Sequence, residues 1–143
     1  MKGIADTGFL VAFAARADAH HDWAVSLAAR ATEPFLTCEP VLAETAFHLQ
    51  SVEVTLAMLT TGLVTVSFSC TDHLLQLAAL ATRFKDRKPD LADLCLIRMS
   101  ELYPRHSVIT VDLDDFRVYR RNKRDTIPLI CPPTNGGRLR LSK

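Results

Sequence analysis

Lys2-Gly3-Ile4-Ala5-Asp6-Thr7-Gly8-Phe9-Leu10-Val11-Ala12-Phe13 sets two apolar runs on either side of an Asp-Thr-Gly turn. The first run, Lys2 to Ala5, has the length of a buried strand. Asp6 is a residue type that caps helices by accepting from backbone N–H groups, so the run from Phe9 onward predicts a helix. A strand that delivers an acid straight into a helix N-terminus is a building unit of parallel α/β sheets.

The alternation continues outward. Asp18 to Asp22 offers a second N-cap before a helical run over Trp23 to Arg30, and Pro34 to Cys38 reads as a second strand. Glu39-Pro40 starts the next helix, because Pro is tolerated in a first turn, and Val41 to Gln50 continues it. Another helix runs from Val52 to the stop at Gly62, and Leu63 to Phe68 is the clearest strand. An amphipathic stretch follows Asp72 and extends to Lys88, where Pro89 breaks it. Asp90 to Tyr103 is apolar on nearly every side and is expected deep in the structure. Ser107 to Val111 reads as a strand closed by Asp112, and Ile127 to Ile130 as a last edge strand, since Pro128 withholds a donor from any central ladder. The expected architecture is a three-layer α/β/α sandwich around a central parallel sheet, with one domain over residues 1–131 and a mobile basic tail over 132–143.

Hydrophobic residues at 48% and charged residues at 23% exclude a disordered, collagenous or disulfide-scaffold chain. No apolar run approaches the ~20 residues needed to cross a bilayer, and no signal-like segment is recognisable, so a cytoplasmic protein without membrane contact is expected. Cys38, Cys70, Cys95 and Cys131 stand 32, 25 and 36 residues apart, with no C-x-x-C, and read as reduced thiols. The net charge of +1 conceals a division: residues 1–115 hold nine basic against fifteen acidic residues, net −6, while residues 116–143 hold eight basic residues against Asp125, net +7. An acidic centre with a separate basic surface suits work on a phosphate polymer; a solvated basic tail is the plainer reading.

Ligands of an open parallel sheet bind beyond the carboxyl ends of its strands. Asp6 ends the first strand and Asp112 follows the Ser107 to Val111 strand, Glu44 lies in the helix after the second strand, and Asp93 lies in the first turn of a helix whose start should overlie the same edge. Each also has a structural reading: Asp6 and Asp112 as N-caps, Asp90 with Asp93 as a capping pair, and Glu44 paired with His48 one turn on. On a helical wheel Glu44 falls between Val41 and Phe47, where a core-facing charge needs a partner. Together, carboxylates gathered near one point repel and raise one another's pKa values, and a hard cation such as Mg²⁺ or Mn²⁺ relieves that repulsion. Such a set predicts phosphodiester hydrolysis.

With Asp6-Thr7-Gly8-Phe9-Leu10, Leu42-Ala43-Glu44, Leu91-Ala92-Asp93 and Thr110-Val111-Asp112-Leu113-Asp114-Asp115-Phe116 in this order, the chain resembles PIN-domain nucleases, VapC-type toxins above all. The resemblance implies an endoribonuclease dependent on Mg²⁺ or Mn²⁺, often a homodimer and often held inactive by a cognate antitoxin. It carries over Asp6, Glu44, Asp93 and Asp112 as catalytic and metal-binding acids, Asp115 as an optional fifth, and Thr7 and Thr110 as hydroxyls that orient the acids. Leu94-Cys95 departs from the small residue that relatives often carry there, so Leu94 is expected to narrow the pocket. Arg117, Arg120 and Arg121, with Lys123 and Arg124, are candidates for contact with RNA phosphates outside the acidic groove. His20 and His21 are expected as solvated residues of a helix cap. The alternative is a catalytically inert PIN-like module that binds RNA or a protein partner. A phospho-acceptor receiver and a haloacid-dehalogenase-like phosphatase are disfavoured, since Thr7 follows Asp6 and no D-x-D follows the first strand.

Overall fold

The computed structural model describes residues 1–133, and the expected basic tail falls outside them from residue 134 onward. The strands are β1 (Gly3–Ala5), β2 (Phe35–Thr37), β3 (Val64–Val66), β4 (Ser107–Ile109), the hairpin pair β5 (Arg120–Arg121) and β6 (Asp125–Thr126), and β7 (Leu129–Ile130). Five of them form one parallel sheet in the order β3-β2-β1-β4-β7. Ile4 and Ala5 are fully buried because β1 is the middle strand. From β1 the chain steps to β2 and β3 on one side, then returns to the other side for β4. That reversal opens a crevice between β1 and β4 at their carboxyl ends.

Among the described residues seven α-helices connect and cover the strands: α1 (Thr7–Ala14), α2 (His21–Ala29), α3 (Glu39–Leu49), α4 (Val52–Thr60), α5 (Leu74–Arg83), α6 (Leu91–Leu102) and α7 (Leu113–Val118). α6 packs across β1 and β4 and buries Ala92, Leu94, Cys95, Leu96, Ile97 and Met99, as its all-round apolar pattern requires. Leu94 therefore belongs to the core and does not narrow a pocket, which corrects the sequence expectation. Among the described residues no helix is long and apolar enough to cross a membrane.

Two further differences have local causes. The strands are shorter than their sequence runs, since pairing ends where a neighbouring strand does: Leu63 to Phe68 supplies only Val64–Val66, and Ser107 to Val111 only Ser107–Ile109. The basic stretch after α7 folds back as the antiparallel β5–β6 hairpin, turning through Asn122 and Lys123, both at positive φ (49° and 72°). The loop of residues 122–124 is hidden in the sequence because no Gly marks its two left-handed positions.

Gly8 fits the approach of α1 to the end of β4. A Cβ at this position would overlap a γ-methyl of Val111, a β-branched side chain with little rotamer freedom. Gly8→Ala should lower stability by about 1–3 kcal/mol through overpacking, seen as a lower thermal midpoint. An unchanged midpoint would mean that Val111 moves aside at no cost.

Candidate active site

The register of β1 on β4 builds the centre of the site. Ala5 pairs with Ile109, so the next residues, Asp6 and Thr110, leave the sheet side by side. Thr110 Oγ1 donates to Asp6 Oδ2 at 2.7 Å, and the Thr7 backbone N–H donates to Asp6 Oδ1 at 2.7 Å. Asp6 is thus the N-cap of α1 and a wall of the crevice at once. Thr110 Oγ1 also accepts from the backbone N–H of Asp112, which caps α7 through a bond from Asp115 N–H at 3.4 Å.

Two helices bring the other acids. Glu44, on α3, accepts from Thr7 Oγ1 at 2.8 Å. Asp90 caps α6 by accepting from the Asp93 N–H at 2.8 Å, which leaves the Asp93 side chain free to accept from Tyr119 Oη at 3.2 Å. Asp6, Glu44, Asp93, Asp112 and Asp115 line one pocket of ≈ 460 Å³, joined by Asp18, Asp90, His20, His48 and Lys88. Glu44 stands at a boundary of α3: Val41 on one side is buried, whereas Phe47 on the other is 77% exposed.

Among the described residues no Lys or Arg pairs with Asp6, Glu44, Asp93 or Asp112, although His48, one turn on from Glu44, offsets part of its charge. The ion pairs found are Lys2–Glu33, Arg87–Asp115 and Arg98–Glu101, and none includes Asp6, Glu44, Asp93 or Asp112. Burial pushes Asp6 from its ordinary 3.8 up to about 6, against the pull of the bonds from Thr110 and Thr7, with the charges of Asp112 and Glu44 adding to the rise. Burial also dominates at Asp93, which with the charges of Asp90 and Asp6 rises to about 7. Glu44 and Asp112 are raised as well, again chiefly by burial.

The crystal structure of Mycobacterium tuberculosis VapC20, titled a sarcin-ricin loop cleaving toxin, is similar to this chain with a TM-score of 0.63. The match covers 73% of this chain and 85% of that one at 21% sequence identity. The fold is PIN-like. No protein-family model matches the sequence, and no curated protein matches it.

The arginines expected to meet RNA are placed differently around this PIN-like pocket. Arg120 Nη1 donates to the carbonyls of Arg117, Val118 and Tyr119, closing the end of α7. Arg121 Nη1 donates to the Ser100 and Pro104 carbonyls and pins the hairpin to the end of α6. Arg117 is exposed, and none of the three lines the pocket. Asp115 lines it but is paired with Arg87 at 2.8 Å.

Sequence reasoning missed Tyr119, Lys88 and His20. Tyr119 is fully buried and reaches Asp93 from 26 positions away, a contact with no local signal. His20 precedes α2, as a cap residue should, but it also lines the acidic pocket; His21 is half-buried, with Nδ1 2.8 Å from the Ala12 carbonyl oxygen. Both therefore depart from the solvated role expected of them.

Asp6 and Asp93 have raised folded-state pKa values, so their protonated forms favour the fold. That contribution is fully present below about pH 4 and is lost as pH rises through about 6 and about 7. For Asp6, only 8% exposed, the loss is on the order of 3 kcal/mol. In chelator, the thermal midpoint should fall between about pH 5 and about pH 8, and Asp6→Asn should flatten the fall and melt above wild type at about pH 8. Equal wild-type midpoints at both pH values would contradict this electrostatic picture.

Proposed function

We propose that this chain is a divalent-metal-dependent endoribonuclease that hydrolyses RNA phosphodiester bonds, acting as the toxin of a toxin–antitoxin pair. One observation carries the reading. Four acids from four distant segments line the crevice where strand order reverses, each held by a hydroxyl or N–H donor and none by a cation.

The donor set suits a hard ion. Among the described residues no group of three or more His, Cys, Asp or Glu side chains is placed to hold a metal ion together. Mg²⁺ does not require one, because it is ordinarily held by one or two carboxylates and keeps several waters. The oxygen-only acids fit such an ion, as do their raised pKa values, set chiefly by burial with neighbouring carboxylates adding to it. Asp6 and Asp93 would hold it, with Asp112 acting through water. When bound, Mg²⁺ or Mn²⁺ supplies positive charge for phosphoryl oxygens and makes water acidic enough to act as the nucleophile.

The chain's own residues do the rest. Thr110 and Tyr119 fix the carboxylates of Asp6 and Asp93, so that little reorganisation remains when RNA arrives. Glu44, fixed by Thr7 and with a raised pKa, would take a proton. Lys88 lies on the rim of the acid pocket and makes no ion pair with any described residue, so it, and not Arg120 or Arg121, would meet an RNA phosphate. Its backbone is left-handed at φ 52°, between Arg87, which is tied to Asp115, and Pro89. A homodimer and an antitoxin belong to the same reading; Phe47, Val52 and Leu56 on α3 and α4 are exposed apolar surface for a protein partner.

With Mn²⁺ and a sarcin-ricin-loop RNA hairpin as first substrate, wild type should cleave, and EDTA should stop it. Asp6→Asn and Asp93→Asn should each lose at least about 100-fold in rate while keeping a folded circular dichroism spectrum. Tyr119→Phe, which only releases Asp93, should lose about tenfold or less. Binding of RNA with no metal-dependent cleavage of any RNA tested would instead favour the inert module. On the Asp6→Asn background, Lys88→Ala should reduce the slope of log Kobs against log salt by about 1 for RNA binding. An unchanged slope would remove Lys88 from the RNA-contact surface.

A further inference from the structure

Behind the acid-bearing turn of α6, thiols meet. Cys95 is fully buried two residues after Asp93, and its Sγ lies 3.4 Å from the Sγ of Cys70. Cys70 opens the 3₁₀ turn Cys70–His73 that leads into α5, and it is half-buried. Cys38, the residue before α3, also interacts with Cys95 but is wholly buried. None of the four cysteines forms a disulfide.

We propose that Cys70 and Cys95 are a reversible oxidation site for hydroperoxides. Three features distinguish the pair from thiols that merely fill space. The sulfurs are already in contact, and closing a bond requires roughly 1.3 Å of approach. Cys70 is half-buried at the surface end of the pair and Cys95 is fully buried, which is the division between a thiol that reacts first and one that resolves it. The approach can come from the Cys70 side, whose neighbours Ser69, Thr71 and Asp72 are exposed, while α6 stays packed in the core.

The chemistry balances with hydrogen peroxide as the oxidant. The Cys70 sulfur attacks one peroxide oxygen, the O–O bond breaks, and Cys70 sulfenic acid and one water form. The Cys95 sulfur then attacks the Cys70 sulfur, the S–O bond breaks, and the hydroxyl leaves with the Cys95 proton as a second water. Two thiols are oxidised by two electrons in all, and the peroxide is reduced. The product ties the start of α5 to α6, the helix that presents Asp93, so oxidation acts on the frame of the acidic site. The inference does not depend on the ribonuclease reading.

The test treats the folded protein with hydrogen peroxide, blocks remaining thiols with N-ethylmaleimide, and maps the peptides by mass spectrometry. The expected product is a peptide pair joined through Cys70 and Cys95, lighter than the separate peptides by two hydrogen atoms and lost on treatment with dithiothreitol. Cys70→Ser, a near-isosteric change at a half-buried position, should fold and give no such pair. In Cys95→Ser, dimedone should trap sulfenic acid on Cys70. Maleimide-labelled Cys95 after peroxide treatment, sulfinic acid on Cys70 as the main product, or a bond from Cys95 to Cys38 would each overturn the proposal.

Discussion

Ala5 pairs with Ile109 in the parallel ladder, so the residues that follow, Asp6 and Thr110, meet across 104 positions of sequence, and the hydroxyl of one closes on the carboxylate of the other. The rest of the site depends on that register. A slip by one residue would turn Asp6 to the other face of the sheet and remove the cap of α1. Thr110 also holds the Asp112 N–H, so a single hydroxyl joins the acid that ends β1 to the acid that starts α7. Gly8 lets α1 begin close to Val111, and the crevice stays narrow.

The arrangement works against stability. Hydrogen bonds from Thr7 and Thr110 favour the ionised Asp6, but burial outweighs them and raises its pKa to about 6. A sequence optimised for stability alone would place a neutral residue at this cap. Retaining an ionisable one, with three more acids nearby and only His48 beside Glu44 to offset them, is the local inconsistency expected at functional sites. Where the acids do have cationic company, it is at the margin: Arg87 neutralises Asp115 and holds the segment that carries Lys88 against α7.

Much of this could be read in the sequence, for a physical reason. Asp6, Asp90 and Asp112 cap helices, so the local signals that mark element boundaries also mark the acids of the crevice. The strand–helix alternation gave the parallel sheet, and its edge position for β7 followed from Pro128. What was not legible depends on tertiary placement. The charge of Arg120 and Arg121 says nothing of the carbonyls at the ends of α7 and α6 that their guanidinium groups satisfy. Tyr119 has no periodic relation to Asp93. Phe47, apolar and on a helical wheel with Val41, is nevertheless exposed, because hydrophobicity does not specify which side of a helix finds a neighbour.

The central claim is that the crevice is an anionic site whose charge is held in place and left for a cation to balance. Titration of the side-chain carboxyl carbons by ¹³C NMR, in chelator and then with Mg²⁺, addresses it directly. The account predicts an Asp6 midpoint near 6 without metal and a fall below its ordinary 3.8 when Mg²⁺ is added. An Asp6 midpoint at its ordinary value without metal, unmoved by Mg²⁺, would contradict it.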